Sequence, residues 1–138
     1  MSSNEFPEPP EGFRKYPAEN VIALLTDGDA VAAALEDLTK AGFARDRIYV
    51  LAGPAGAERL DVTGQHHGLL GRVYRITGQL GDSHEELIRT ADHLRAGGLA
   101  LRVPATEGDK TVAARILRQH GAVHIVYMGK WASETLAP

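Results

Sequence analysis

The sequence predicts an α/β (α+β) domain in which two βαβ halves share one sheet and a helical insert lies between them. Three observations carry this. Four short apolar runs, residues 21–25, 48–51, 99–103 and 123–128, read as strands. A stretch with helical apolar spacing follows the first run and another follows the third. The two units also resemble each other: Gly28-Asp29 leads to Val31-Ala32-Ala33 as Gly108-Asp109 leads to Val112-Ala113-Ala114.

Residues 1–17 hold Pro7, Pro9, Pro10 and Pro17, four of the chain's seven prolines, and are expected to be a flexible tail. Phe6, Phe13 and Tyr16 are its only candidates for pinning to the body or to a second subunit. Residues 18–138 then form one α/β domain, with the insert at 53–98. Val21 to Leu25 is apolar at every position, which suits a buried strand. Asp27 and Asp29 are placed to cap a helix carrying Val31, Ala34, Leu35, Leu38 and Ala41. Gly42 stops that helix, and Phe43 is placed for the apolar contact that accompanies a glycine cap. Ile48 to Leu51 is the second strand, closed by Gly53-Pro54.

Residues 53–68 are glycine-rich and aperiodic, hence loop. Leu69, Val73, Ile76 and Leu80 give one apolar stripe and predict a short helix broken near Gly78. Ser83 and Glu86 make a capping-box pair for the next helix, whose buried stripe is Leu87, Ile88, Ala91 and Leu94, ended by Gly97-Gly98. Leu99 to Val103 is the third strand. Thr106 or Asp109 caps a helix holding Val112, Ala113, Ile116 and Leu117, and Gly121 ends it. Val123 to Met128 is the fourth strand, followed by an extension with Trp131 and Leu136. Two such halves predict a ferredoxin-like four-stranded sheet with helices on one face. A doubly wound parallel sheet is the alternative, because helices also separate the second strand from the third.

The chain of 138 residues is 43% hydrophobic and 24% charged, the balance of one globular domain. It has no cysteine, which excludes disulfides, thiolate nucleophiles and cysteine-held metal and makes a reducing, cytoplasmic setting natural. No apolar run approaches the roughly 20 residues that cross a bilayer. Met1 to Glu11 is polar, acidic and proline-rich, unlike a secretory signal. The net charge of -3, with both signs interspersed, offers no basic face for nucleic acid.

Ala41-Gly42-Phe43 followed by Asp46-Arg47-Ile48-Tyr49-Val50, and then the capped helix Ser83 to Leu94 leading into Gly97-Gly98-Leu99-Ala100-Leu101, resemble the bacterial general-stress, heat-induced stress-protein domain. The resemblance spans roughly residues 20–104. The last 34 residues exceed the short form of that domain, and His124-Ile125-Val126-Tyr127-Met128-Gly129-Lys130-Trp131 is similar to the tail of longer, uncharacterised relatives. The resemblance implies a cytosolic, stress-associated protein and supplies no catalytic residues.

Six histidines are the natural place to seek chemistry, since imidazole binds transition metals and titrates near neutral pH. His66-His67-Gly68 is the densest group. His120 and His124 have the i, i+4 spacing of a helical zinc pair, but Gly121 breaks the helix between them. His84 and His93 lie nine residues apart and point to different sides. A metal site would therefore assemble from separate elements, with His66, His67 and His124 as candidates; the plainer reading makes the loop histidines ordinary hydrogen-bonding residues. No serine sits in a nucleophile elbow. Asp27 with Asp29 and Glu85 with Glu86 are better explained as acids favoured at helix starts, where they would also repel a phosphate. Gly53-Pro54-Ala55-Gly56 lacks the following Gly-Lys-Ser/Thr of a P-loop. Arg72 and Arg75, three apart, share a face of the expected helix and could meet an anion, or form its solvated side.

Alternation in the last strand sets Val123, Ile125 and Tyr127 against the helices and turns His124, Val126 and Met128 to the second face, where Arg102 also falls. His124, flanked by apolar residues, is expected to be partly buried. The second face is read as a ligand pocket or a polar seam, with Tyr127 and Trp131 as pocket walls or dimer anchors. Any ligand selectivity is expected in the insert, near His66, Arg72 and Tyr74, where glycines allow close backbone approach. No motif names a cofactor. The expected function is a non-enzymatic stress-associated interaction module, a homodimer. The alternatives are a metal- or small-ligand-binding protein using the His66-His67 loop and His124, and an enzyme using histidine as acid and base.

Overall fold

The computed structural model describes residues 18–53, 73–75 and 85–138. Among them the chain runs β1 (Asn20–Leu25), α1 (Gly28–Lys40), a 3-10 turn (Arg45–Arg47), β2 (Tyr49–Ala52), β3 (Val73–Arg75), α2 (Glu85–Arg95), β4 (Leu99–Pro104), α3 (Lys110–Gln119), β5 (Val123–Met128) and β6 (Ser133–Ala137). The fold is mixed α+β. Its open sheet has the order β3-β2-β4-β1-β5-β6. From β2 to β6 every pair of neighbours is antiparallel, and β3 alone is parallel, against β2. This rules out the doubly wound parallel alternative. The two halves interleave: β4 lies between β1 and β2, and β1 lies between β4 and β5.

Two edge strands depart from the expected four-stranded sheet. Val73–Arg75 is extended and pairs with Val50–Ala52, where the stripe from Leu69 to Leu80 predicts a helix. A β-branched and an aromatic residue beside a free sheet edge suit a strand, and pairing outweighs an ambiguous apolar period. The helical face that Arg72 and Arg75 were to share is lost with it; Arg75 is in the strand and Arg72 lies outside the described residues. The second addition, β6, folds back on β5 as a hairpin. The expected tail at 1–17, the loop after Gly53 and the Ser83 cap also lie outside the described residues.

Local chemistry sets the helix ends. Asp27 is extended and its Oδ1 accepts from the Asp29 amide at 2.9 Å, as expected for an N-cap. At the other end Gly42 takes φ +105°, and the Phe43 amide donates to the Leu38 carbonyl at 3.0 Å while its ring is buried. The matching Gly108-Asp109 behaves differently. Helix α3 begins after it, and Asp109 Oδ1 reaches back to the Thr106 amide at 2.6 Å instead of capping forward. The sequence likeness of the two units therefore does not extend to their helix starts.

Each sheet face has its own core. Helices α1 and α3 cover the first, where Val31, Leu35, Leu38, Ala113 and Leu117 meet Val21, Val50, Leu101, Val103, Ile125 and Tyr127. The second face carries Ile22, Leu24, Leu51, Ala100, Val126 and Met128, and α2 reaches it through Leu94. Burying β1 on both sides thus takes helices on both faces, where helices on one face were expected. The alternation expected for the last strand holds from Ile125 to Met128 and fails before it. Ile22 pairs with Val126 but Leu24 pairs with Val123, so β5 carries one extra residue there. This β-bulge puts His124 at φ +51° and aligns Val123 with Leu24 of the second face, leaving Val123 46% exposed.

Candidate functional site

The structure divides the residues expected to form a site. Arg102, on β4, lies opposite Ile22 and Tyr49, on the second face as expected. It is half-buried, with its guanidinium 5.9 Å from the centroid of the Tyr49 ring. Burial pulls its pKa down to about 10, against a smaller upward effect of Tyr49, so it is charged at neutral pH. His124 belongs to the same face but stands at the bulge. It is exposed, contrary to the expectation of partial burial, because the extra residue lifts this part of β5 out of regular pairing. It borders a small cavity of about 10 Å³ with Ile22, Leu24, Arg89, Thr90 and Val126, space for about one water. Arg102 does not line that cavity.

Tyr74 and Arg75 sit in β3, opposite Leu51 and Ala52. His66, His67, Gly68 and Arg72 lie outside the described residues. Among the described residues no group of three or more His, Cys, Asp or Glu side chains is placed to hold a metal ion. Two other histidines serve the fold. His93 Nε2 is 2.7 Å from the Leu25 carbonyl oxygen, tying α2 to β1. His120 Nε2 is 2.7 Å from Asp37 Oδ2, tying the end of α3 to α1.

Tyr127 and Trp131 are brought together, at the turn between β5 and β6. Glycine suits the tight reversal after Met128: a Cβ at residue 129 would stand 3.0 Å from the Ala132 carbonyl oxygen, so a larger residue would require the turn to give by a few tenths of an ångström. The Gly129 amide donates to that oxygen at 2.9 Å, and Met128 pairs with Ser133, which leaves Lys130 and Trp131 at the tip. An open groove of about 690 Å³ lies along the turn, lined by Glu19, the Thr106–Gly108 loop, Tyr127 and residues 129–134.

One cation organises the groove's inner wall. Lys110, the first residue of α3, stands with Nζ 2.6 Å from Glu107 Oε1, 2.5 Å from Glu134 Oε1 and 4.9 Å from the centroid of the Tyr127 ring. The hydrogen bond to Glu107, then that to Glu134, holds its pKa up at about 12. Tyr127 is 2% exposed, and burial, then the charges of Glu107 and Glu19, push its phenol above the usual range. Glu19 is pinned from both sides: its amide donates to the Met128 carbonyl at 2.6 Å and its carbonyl accepts from the Ala105 amide at 3.0 Å. Its φ of +61° is unusual for a residue with a side chain. A lysine and a phenol both held protonated are poorly matched to proton transfer at neutral pH. The arrangement suits recognition through an aromatic surface and charge.

Trp131 is 94% exposed, whereas Tyr127 and Met128 are 2% and 0% exposed. Of the two aromatic residues expected as pocket walls or dimer anchors, only Trp131 is available on the surface. Sequence reasoning missed Glu19, Glu107, Lys110 and Glu134. A signal for the hairpin does exist, in Met128-Gly129-Lys130-Trp131-Ala132-Ser133, where glycine opens a short connection after a strand. Nothing local links Glu19 or Glu107 to that turn. No helix among the described residues is long and apolar enough to cross a membrane. No family model, curated protein or solved structure matches the chain.

Proposed function

We propose that this chain is a non-enzymatic, stress-associated interaction module that acts as a homodimer in the cytoplasm, built on a ferredoxin-like sheet. The observation that carries the interaction reading is Trp131, an indole 94% exposed at the tip of a hairpin. Aromatic side chains are enriched where proteins meet, and a large one held in water by a defined turn is a contact awaiting a partner. The inner wall of the groove supports a binding role over a catalytic one, since Lys110 and Tyr127 keep their protons. The order β2-β4-β1-β5, antiparallel throughout, supports the ferredoxin-like reading, with β3 and β6 as additions at either edge. The stress association rests on the likeness of residues 41–50 and 83–101 to the general-stress domain.

Native mass spectrometry of the untagged protein tests this directly. A species of twice the 14.8 kDa chain mass without retained ligand supports the reading. A monomer, or a chain retaining metal, overturns it; the latter favours a site on His66, His67 and His124.

A further inference from the structure

We infer that the groove beside the β5–β6 turn is the seat for the Lys130-Trp131 tip of a second copy, so that each protomer gives a tip and receives one. This rests on the homodimer reading above and names the surface that joins the copies.

The argument starts from charge. The tip carries Lys130, which has no ion pair among the described residues, beside the exposed Trp131. The groove next to it offers one open carboxylate at its rim: Glu19 lines it with no side-chain partner among the described residues, whereas Glu107 is already bonded to Lys110. A uniformly basic partner would be repelled by Lys130, and a uniformly acidic one by Glu19. A second copy avoids both, because a two-fold axis sets each Lys130 against the other copy's Glu19. Self-complementarity of this kind is what an isologous interface requires.

Shape agrees with charge. The groove, about 690 Å³, falls within the roughly 300–1,000 Å³ of pockets that bury sizeable groups. Gly108 and Gly129 present bare backbone to it, and the buried Tyr127 forms part of its wall. An indole can lie against such a surface with its N–H turned to the carboxylates. The inner wall is already neutralised, since Lys110 takes up Glu107 and Glu134, so seating an aromatic ring there strands no bare charge.

Trp131 is the chain's only tryptophan, so its emission reports its own environment. Fluorescence and light scattering are followed together through a dilution series of the full chain, alongside Trp131→Ala, Lys130→Glu, Glu19→Lys and the double variant Lys130→Glu/Glu19→Lys. The seat predicts emission that shifts to the blue as the dimer forms. It predicts dimer weakening on the order of 30-fold or more for Trp131→Ala, as for a central interface anchor. It predicts weakening by each single charge change and recovery in the double variant. A dimer whose tryptophan emission stays that of an indole in water, or whose affinity Trp131→Ala leaves unchanged, overturns the seat and leaves the homodimer reading standing. A double variant no tighter than the singles overturns the charge pairing that orients the seat. A wild-type monomer at tens of micromolar overturns both readings. Trp131→Ala is expected to keep its circular dichroism spectrum, because the side chain makes almost no contact within the chain.

Discussion

The two faces of the sheet are built on different principles. The face turned to α1 and α3 is apolar across β1, β2, β4 and the ordered part of β5, and two helices fill it with Val31, Leu35, Leu38 and Leu117. The face turned to α2 mixes Ile22, Leu24, Leu51 and Met128 with the half-buried Tyr49 and Arg102 and the exposed His124. Where two helices are available, volume alone holds the layers. Where a helix meets the sheet over a smaller patch, attachment is by close approach. A Cβ on Gly53 would strike the Leu94 carbonyl, one on Gly98 would strike the His93 ring, and that ring is bound to the Leu25 carbonyl. The first face should therefore be sensitive to lost volume, and the second to added atoms and lost polar contacts.

The largest effects test volume. Leu38→Ala and Leu101→Ala should each cost about 2–5 kcal/mol in urea unfolding, the range for a truncated buried leucine, while Leu38→Met should cost less than about 1.5. Leu94→Ala should fall at the low end, because its cluster is smaller. If Leu94→Ala proved the costliest of the three, the division between the faces would be wrong.

Close approach is tested next. Gly53→Ala should destabilise by about 1–3 kcal/mol although it adds only a methyl, since α2 must shift from β2 to admit it. Gly98→Ala should do the same in the native background but cost far less with His93→Ala already present, as the obstacle is then gone. Additive costs in that cycle would show that His93 does not set the spacing.

Alkaline unfolding separates the faces by sign. On the first face Tyr127 has a raised pKa, so above pH 10 the unfolded chain loses this proton first and stability falls. Lys110, raised to about 12, keeps its contribution below 10.5 and loses it as pH rises through about 12. On the second face Arg102, lowered to about 10, loses its proton first in the folded chain, so above that pH it works in favour of folding. Tyr127→Phe should flatten the fall that begins near pH 10, and Arg102→Met should steepen it. Parallel alkaline limbs for wild type and both variants would contradict this assignment.

The smallest effects lie at Glu19 and His124, the two non-glycine residues with positive φ among the described residues. Glu19→Gly and His124→Gly relieve the strain of the left-handed backbone, and the gain is partly offset by glycine's greater freedom when unfolded. Each should change stability by no more than about 1 kcal/mol, in the stabilising direction. A clear loss in thermal midpoint for Glu19→Gly would show that its side chain supports the turn.

Much of the fold is legible from residue order because the signals are local. The apolar run Val21 to Leu25, the Asp27 cap, the stops at Gly42, Gly97 and Gly121, and the alternation from Ile125 to Met128 follow from backbone geometry and side-chain period within a few residues. The placement of Arg102 on the second face follows in the same way, from alternation along one strand. The fate of His124 does not: one extra residue in β5, defined only by its pairing with β1, turned an expected half-buried imidazole outward. The short Val73–Arg75 segment took its conformation from the edge of β2 rather than from its own period.

The candidate site shows the same division more sharply. Sequence alone picked out Tyr127 and Trp131 as aromatic residues near a strand end. Only the folded chain decided that Tyr127 is a wall and Trp131 a tip, and it gathered Glu19, Glu107, Lys110 and Glu134 from three separate segments around them. Caps, periods and stops are written within one turn of helix or one strand, so composition and spacing determine them. Strand register, the bulge and the Lys110–Glu134 ion pair depend on residues far apart in the chain, and only tertiary packing brings them within reach.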